Sequence, residues 1–507
     1  MLLTGFSMIE NFASKLENYV WSMPLIILLV ATGIFFSIAT RFVQVRRIPT
    51  MWKLLMKKES SSKGVSSFQA FALSIANRVG TGNIIGVASA IAYGGPGALF
   101  WMWFIAILGA ASAYIESTLA QIYKEEVDGE YRGGPAYYFS KITGKKIYGI
   151  IFSVFALISV GVFLPGVQSN AIAVAVNNSI FIDASEQTQS YVSLAVGLFV
   201  AIILGLVIFG GIKRIGRVAE FIVPIMSLIY ISMALIIIVV NFKYIPETFT
   251  LIFKEAFSPN AALGGVIGTA VLNGVKRGVF SSESGQGTCP HSAAAAEVNH
   301  PAEQGLVQAF SVYFDTLLVC SATGFMIIIT QSYQLINTSN SVETVVYQAE
   351  NLKGIDPNSI ASGANFIQYA VSSTFGSLGS IFIAIALFFF AFTTLMANYY
   401  TAETNIAFLT IKKDNTGEHA SKFLINIVRV TCLVAVVFFA TKKVEVAWNF
   451  AFIGVGVMAW YNVIGIILCS KPAIKALFDY EKQLKNSEKI KFNPKKLGIK
   501  NTDENIW

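Results

Sequence analysis

The chain has 507 residues, 54% of them hydrophobic and only 13% charged, about half the charge of a soluble domain. Mean hydropathy is +0.62, and apolar runs of about 20 residues recur, as in a polytopic membrane protein. The net charge of +8 invites a nucleic-acid reading, but Lys and Arg sit mostly in loops between apolar runs and in the tail from Lys471 to Lys500, as a positive-inside bias distributes them.

The pattern predicts an all-α membrane fold of about 11 transmembrane helices, centred on 19–40, 66–92, 96–122, 148–176, 190–210, 216–241, 262–289, 303–332, 375–410, 424–440 and 446–470. The first run is too long for the apolar core of a signal peptide and has no basic segment before it. It reads as a retained extra helix which, with its basic loop, makes an N-terminal segment 1–65. The second span contains IANRVGTGNIIG (Ile75–Gly86), an apolar helix interrupted by Gly80, Gly82 and Asn83 beside Arg78. Each interior Gly disfavours a helix by about 1 kcal/mol, and irregular backbone at membrane depth is tolerated only against protein or a water-filled cavity. The run GTGN lacks the preceding strand and the lysine of a phosphate-cradling loop. Close helix packing would explain the glycines. It leaves Thr81 and Asn83 unexplained, whereas an unwound turn offering N–H groups to a carboxylate accounts for both.

Gln168 and Asn170 follow Pro165 and Gly166 in the fourth span, and polar side chains at that depth either join helices or meet substrate. The seventh span repeats the peculiarity of the second. GVFSSESGQGTCP (Gly278–Pro290) holds Gly278, Gly285 and Gly287, a run of hydroxyls and Glu283, so it too reads as lining a binding site. His291 and His300 beyond it lack metal spacing and suit a cytoplasmic loop. An outer loop from about 332 to 373 follows, either an ordered loop or a lid, in which Val342–Asn351 is expected as a short surface helix. The ninth span, FFFAFTTLMANYYTAE (Phe388–Glu403), carries Thr393, Thr394 and Asn398. Its hydroxyls either bond back to their own helix or, with carbonyls from an unwound turn, suit a hard cation such as Na⁺. Glu116, Glu283, Asp315 and Glu403 are intramembrane or near-end acids, expected mostly in internal ion pairs with Arg78, Lys276 and Arg277. Four scattered cysteines show neither disulfide nor metal spacing.

Twenty-seven basic residues fall in loops and tail on one side of the expected helices, against six on the other, which puts the N-terminus outside and the C-terminus in the cytoplasm of a cell whose inner (plasma) membrane holds the chain. Without the first span, the remaining ten divide into two sets of five, 66–241 and 262–470, followed by a basic tail 471–507. Five is odd, so the second set is inverted relative to the first, and the broken helix leads each. Paired, Gly-interrupted segments in inverted halves point to a secondary transporter with a midplane site. A channel would need a continuous polar lining instead, and no residues group as an enzyme's catalytic set.

At these residues the chain resembles the alanine or glycine:cation symporters. The resemblance rests on ANRVGTGNIIGVASAIAYGGPGALFWMWFIAILGA (Ala76–Ala110), GGPAYYFSK (Gly133–Lys141), the stretch from Gly274 to Gly324, and FAFTTL of the ninth span. It implies the bacterial leucine-transporter type of fold, no cofactor, and inward symport of a small neutral amino acid with Na⁺ or sometimes H⁺ across the lipid bilayer. A uniporter or antiporter of the same solutes is the alternative. It further implies that Gly80, Thr81, Gly82 and Asn83, and the break holding Gly285, Gly287 and Thr288, contact the backbone groups of the amino acid. Gln168 and Thr394 match pocket residues, and Thr393 and Thr394 with the backbone of Gly80 are the Na⁺ candidates. One departure stands out. Family members commonly have Trp where this chain has Asn398, which implies a larger and more polar pocket and makes glutamine a candidate beside alanine and glycine.

Overall fold

A computed structural model describes residues 12–56, 64–181, 183–257, 268–339, 342–357, 360, 363–414, 417–442, 444–486 and 489–507. Among them nine helices are long and apolar enough to cross a membrane: Phe12–Ala39, Ala98–Ile122, Lys146–Ile180, Glu186–Ile208, Gly211–Val240, Pro301–Ile329, Ser377–Thr410, Lys422–Ala440 and Trp448–Cys469. Two more places are held by shorter helices in pieces, Ser67–Arg78 with Gly82–Gly86 and Val87–Gly94, and Gly268–Ser282 with Pro290–Ala294. The nine and the two fill the eleven expected places. Residues 262–267, where the second set of five was expected to begin, lie outside the described residues.

Burial sorts the helices into an inner and an outer group. The apolar windows of Ala98–Ile122, Pro301–Ile329 and Ser377–Thr410 are two-thirds buried, whereas those of Glu186–Ile208 and Lys422–Ala440 are about one-third buried or less. The inner group packs on the broken helices and on itself: Ala98–Ile122 against Gly268–Ser282 and against Pro301–Val312, and Ser377–Thr410 against Ser67–Arg78. Outer helices spend their remaining apolar faces on lipid, where every backbone group is already satisfied within the helix.

Local chemistry sets where helices start and stop. Ser66 caps Ser67–Arg78 through a reciprocal pair, its hydroxyl accepting from the Gln69 N–H at 3.1 Å while the Gln69 side chain accepts from the Ser66 N–H. The first break is narrower than the glycines suggest. Val79 leaves helical geometry at ψ 86°, but Gly82–Gly86 already winds as a wide turn. The second break is longer, because Glu283, Gly285 and Gly287 all take positive φ, at 51°, 80° and 82°, a region that two glycines enter without penalty.

The outer loop corrects an expectation. Instead of a helix at Val342–Asn351, strands Gln334–Ser339 and Val342–Gln348 form an antiparallel hairpin, followed by a single turn at Glu350–Leu352. The run VETVVYQ is rich in β-branched and aromatic residues, which suit a pleated, half-buried surface. The segment after the second broken helix gathers distant parts of the chain. Val65 pairs with the strand-like segment after the second broken helix, N–H to the Ala295 carbonyl at 3.0 Å and carbonyl to the Glu297 N–H at 3.1 Å. Buried Lys124 donates to the Ala296 carbonyl at 2.7 Å. The tail returns beneath it: Phe492 donates to the Asn299 carbonyl at 3.1 Å, and Trp507 reaches the Gln121 carbonyl at 3.3 Å.

Candidate functional site

The two interruptions face each other. Arg78, at the end of the first half-helix, donates from Nε to the Ser282 carbonyl at 2.6 Å and reaches the Gln308 carbonyl and the Ser311 hydroxyl. A cation at the C-terminal end of Gly268–Ser282 is where the helix dipole favours it. Between the breaks lies a chamber of about 20 Å³, lined by Asn77, Arg78, Gly80, Gly82, Gln168, Phe280, Glu283, Gln286, Thr394 and Asn398, with Leu164 and Val455. It holds roughly one water in this conformation, so any larger ligand requires its walls to part.

Gly80 sits where nothing larger fits: a Cβ there would lie 2.5 Å from Thr394 Oγ1 and 3.3 Å from Gln168 Oε1. Gln168 reaches across from its own helix, Oε1 accepting from the Thr81 N–H at 3.2 Å. Asn398 is fully buried, and its Oδ1 and Nδ2 have no hydrogen-bond partner among the described residues. Leaving both ends of an amide unmatched costs about 1–3 kcal/mol per group, a penalty that a polar ligand in the chamber would relieve.

Beside the chamber, carbonyls from the first break meet the ninth-span hydroxyl. Thr394 Oγ1 lies 2.8 Å from the Ala76 carbonyl, 3.4 Å from that of Val79 and 2.9 Å from that of Phe390. Four neutral oxygens in one place make a cage of hard donors. Thr393 touches it only through the shared Phe390 carbonyl, at 3.0 Å; its hydroxyl otherwise bonds back to Phe389 and turns toward Met226, because successive helical residues point about 100° apart. The Gly80 backbone is engaged with Asn83, its carbonyl accepting from the Asn83 N–H at 3.2 Å and its N–H donating to Asn83 Oδ1 at 2.9 Å.

A second cluster centres on Asp315, in a wide turn of its helix (Tyr313–Cys320), a feature that recurs at functional sites. Its carboxylate accepts from Asn83 Nδ2 at 2.5 Å, from Ser281 Oγ at 3.2 Å to either oxygen and from Thr316 Oγ1 at 2.6 Å. Asn83 and Ser281 come from the two broken helices, so the carboxylate binds both interruptions together. Asp315 makes no ion pair among the described residues, nor do Glu116 and Glu283. Glu116 holds the second break, accepting from the Gly285 N–H and from Asn462, and Glu283 accepts from Asn77, Thr288 and Cys289. Glu403 does pair, but with Arg132 at 2.7 Å and Arg429 at 3.5 Å rather than with the cations expected. Lys276 pairs with Glu17 at 2.5 Å, and Arg277 lies over the Phe452 ring.

Several expected contacts fall elsewhere. Gly285 and Gly287 face packing rather than the chamber, with Val463 and with Pro135 and Phe152 where side chains would project. Thr288 turns its hydroxyl to Glu283, and Thr81 offers Gln168 its N–H. Gln286, between the two glycines, lines the chamber together with Glu283. Asn170 joins helices, donating to the Phe439 and Lys442 carbonyls. His291 is buried between the Thr288 carbonyl and Asn405, and His300 caps the helix at Pro301 and meets Asp479. Sequence reasoning placed Asp315 among the latches and passed over Gln286. The signals were present, an acid with a hydroxyl neighbour and an amide flanked by two glycines.

The sequence model of the Sodium:alanine symporter family matches residues 6–494. A sodium/proton-dependent alanine carrier protein of Bacillus sp. (strain PS3) is 45% identical over 454 residues, 89% of this chain and 96% of its own. A protein of Bacillus subtilis (strain 168), described as "Probable sodium/glutamine symporter GlnT", is 40% identical over 479 residues, covering 94% of this chain and 92% of that one. Among solved structures, MhsT in complex with L-phenylalanine superposes with a TM-score of 0.54 over 83% of this chain and 91% of that chain at 14% identity, a likeness of fold.

Proposed function

Because the chain belongs to the Sodium:alanine symporter family, we propose that it imports a small neutral amino acid with Na⁺ by alternating access, through the chamber between its two broken helices. The carrying observation is the oxygen cage around Thr394, formed by its hydroxyl and the Ala76, Val79 and Phe390 carbonyls. It lies against Gly80, and Thr394 lines the chamber beside that glycine. A cation held there stabilises the frayed end of Ser67–Arg78, and a chamber wall is built on that same end. Asp315 with Asn83 and Ser281 supports a second cation position. A carboxylate there takes either Na⁺ or a proton, and the alanine carrier of strain PS3 is described with both ions.

In this reading the substrate carboxylate meets the N–H groups at the start of Gly82–Gly94, where the half-helix is positive. Gln168, Gln286 and Asn398 face the side chain. The unmatched amide of Asn398 favours a polar amino acid, glutamine above all, in keeping with the description of the B. subtilis relative. The two halves, residues 66–241 and 262–470, form inverted repeats that rock about the chamber. The basic loops and tail face the cytoplasm, and the hairpin at Gln334–Gln348 faces outward. Uptake of labelled alanine and glutamine into proteoliposomes, with and without an inward Na⁺ gradient, tests the reading. Uptake indifferent to both Na⁺ and proton gradients overturns it.

A further inference from the structure

Away from the chamber, on the lipid-facing side, helices Glu186–Ile208 and Lys422–Ala440 flank a shallow open groove of about 510 Å³. Its construction follows helical spacing. Leu198, Ile202 and Leu206 recur every four residues as an exposed rim. Ala201 and Gly205 give a floor without bulk, and Leu433 supplies the facing wall. From Leu198 to Phe209 the trough runs about 16 Å along the helix.

One end is closed by Arg214. Its Nη1 donates to the Leu206 carbonyl at 2.7 Å, one of the last carbonyls of Glu186–Ile208 and so without a partner in its own helix. That bond turns the guanidinium back along the apolar trough instead of outward. A guanidinium has five donors in a planar fork. Arg214 makes no other hydrogen bond and no ion pair among the described residues, so the rest remain for an anion. Arg429 stands near, its guanidinium 5.2 Å from the Phe209 ring. Glu130, whose carboxylate would lie 3.6 Å from a Cβ on Gly211, is already paired with Arg132 at 3.2 Å.

We propose that this groove is a binding site for an anionic phospholipid from the leaflet on the side of the basic loops. One acyl chain lies in the trough over Gly205, and the phosphate sits on the Arg214 fork. An apolar trough alone would not choose among lipids, since every lipid tail is equally apolar. The cation at its end selects headgroup charge, in the way basic pockets between transmembrane helices do, and a planar fork matches a phosphodiester better than a point charge does. Arg429, beside Phe209, is bonded in turn to Tyr399 and Glu403 on the helix that carries Thr394.

The full chain, reconstituted in nanodiscs of equal phosphatidylglycerol and phosphatidylcholine and then extracted in mild detergent, is examined by native mass spectrometry. We expect retained phosphatidylglycerol to exceed phosphatidylcholine at least fivefold. Arg214→Gln should abolish the preference, and Gly205→Phe, which fills the trough but keeps the cation, should remove the retained lipid. Arg217→Gln, exposed near the same helix start but outside the groove, should change neither. Equal retention of the two lipids by the unmodified protein overturns the proposal without any variant. So does an unchanged preference in folded Arg214→Gln, or a second copy of the chain in place of lipid. The readout needs no transport, so its failure is separate from failure of the symport reading.

Discussion

Thr394 Oγ1 lies 2.8 Å from the carbonyl oxygen of Ala76, so the hydroxyl of one intact helix closes on the frayed carbonyl end of a broken one. Thr393, its neighbour, faces Met226 instead. Thr394→Val is therefore expected to raise the Na⁺ concentration for half-maximal uptake by about 10- to 150-fold, the equivalent of about 1.5–3 kcal/mol for a hydrogen bond to a charged group. Thr393→Val should stay within about threefold, by the same scale. Sodium titrations of alanine uptake in proteoliposomes compare the two, and an equal effect of both would refute the cage.

Asp315 supplies the one formal charge in its cluster with Asn83, Ser281 and Thr316. Asp315→Asn keeps the shape and removes the charge. We expect the Na⁺ requirement to rise at least tenfold, or uptake to be lost while the protein still elutes as folded. An unchanged Na⁺ curve would reduce the carboxylate to a strut between the broken helices.

Asn398 tests specificity. Asn398→Trp fills the chamber wall and removes the unmatched amide, so glutamine uptake should fall much further than alanine uptake. An apolar size difference alone discriminates by only about 1–3 kcal/mol, whereas a steric clash can exclude a substrate outright. Competition by glutamine against labelled alanine, in wild type and variant, decides the matter. Equal losses would return the pocket to small substrates.

Orientation is checked with Glu350→Cys and Lys482→Cys, both at exposed positions. The native cysteines, Cys289, Cys320, Cys432 and Cys469, are all buried and should contribute little background. An impermeant maleimide is expected to label position 350 in intact cells and position 482 only after permeabilisation. The opposite pattern would reverse the topology.

The Arg132–Glu403 pair is buried, with side chains 5% and 3% exposed. Glu403→Gln leaves Arg132 with Glu130 alone, at 3.2 Å, and takes the carboxylate from Arg429, so it should destabilise the protein by less than the about 3–5 kcal/mol of a fully stranded buried charge. A thermal-shift assay in detergent reads this as a fall in Tm. Retention of the wild-type Tm would mean that Arg429 and Tyr399 had little need of the carboxylate.

Much of this architecture is legible in the chain because membrane helices obey few rules. Gly80 and the Gly285–Gly287 pair announce interruptions, since nothing else explains such residues amid apolar runs. What the glycines do there is harder to read. Gly80 makes way for Thr394, whereas Gly285 and Gly287 serve positive φ and tight packing, and composition cannot separate these roles. The hairpin at Gln334–Gln348 is missed because an amphipathic stretch of ten residues suits helix or strand until its partner is known. Glu403 shows the same limit: a buried acid signals a partner, but which cation answers it depends on a fold that brings residue 132 beside residue 403.

Three of the four oxygens of the cage belong to main chain, at Ala76, Val79 and Phe390, and the fourth is the Thr394 hydroxyl. No side-chain replacement deletes them. A scan that truncates each residue in turn would register Thr394 and pass over the other three, and drift at positions 76, 79 and 390 among relatives would leave the donor set untouched. Exposing them calls for editing the backbone itself, for instance by replacing single amides with esters to weaken one carbonyl at a time.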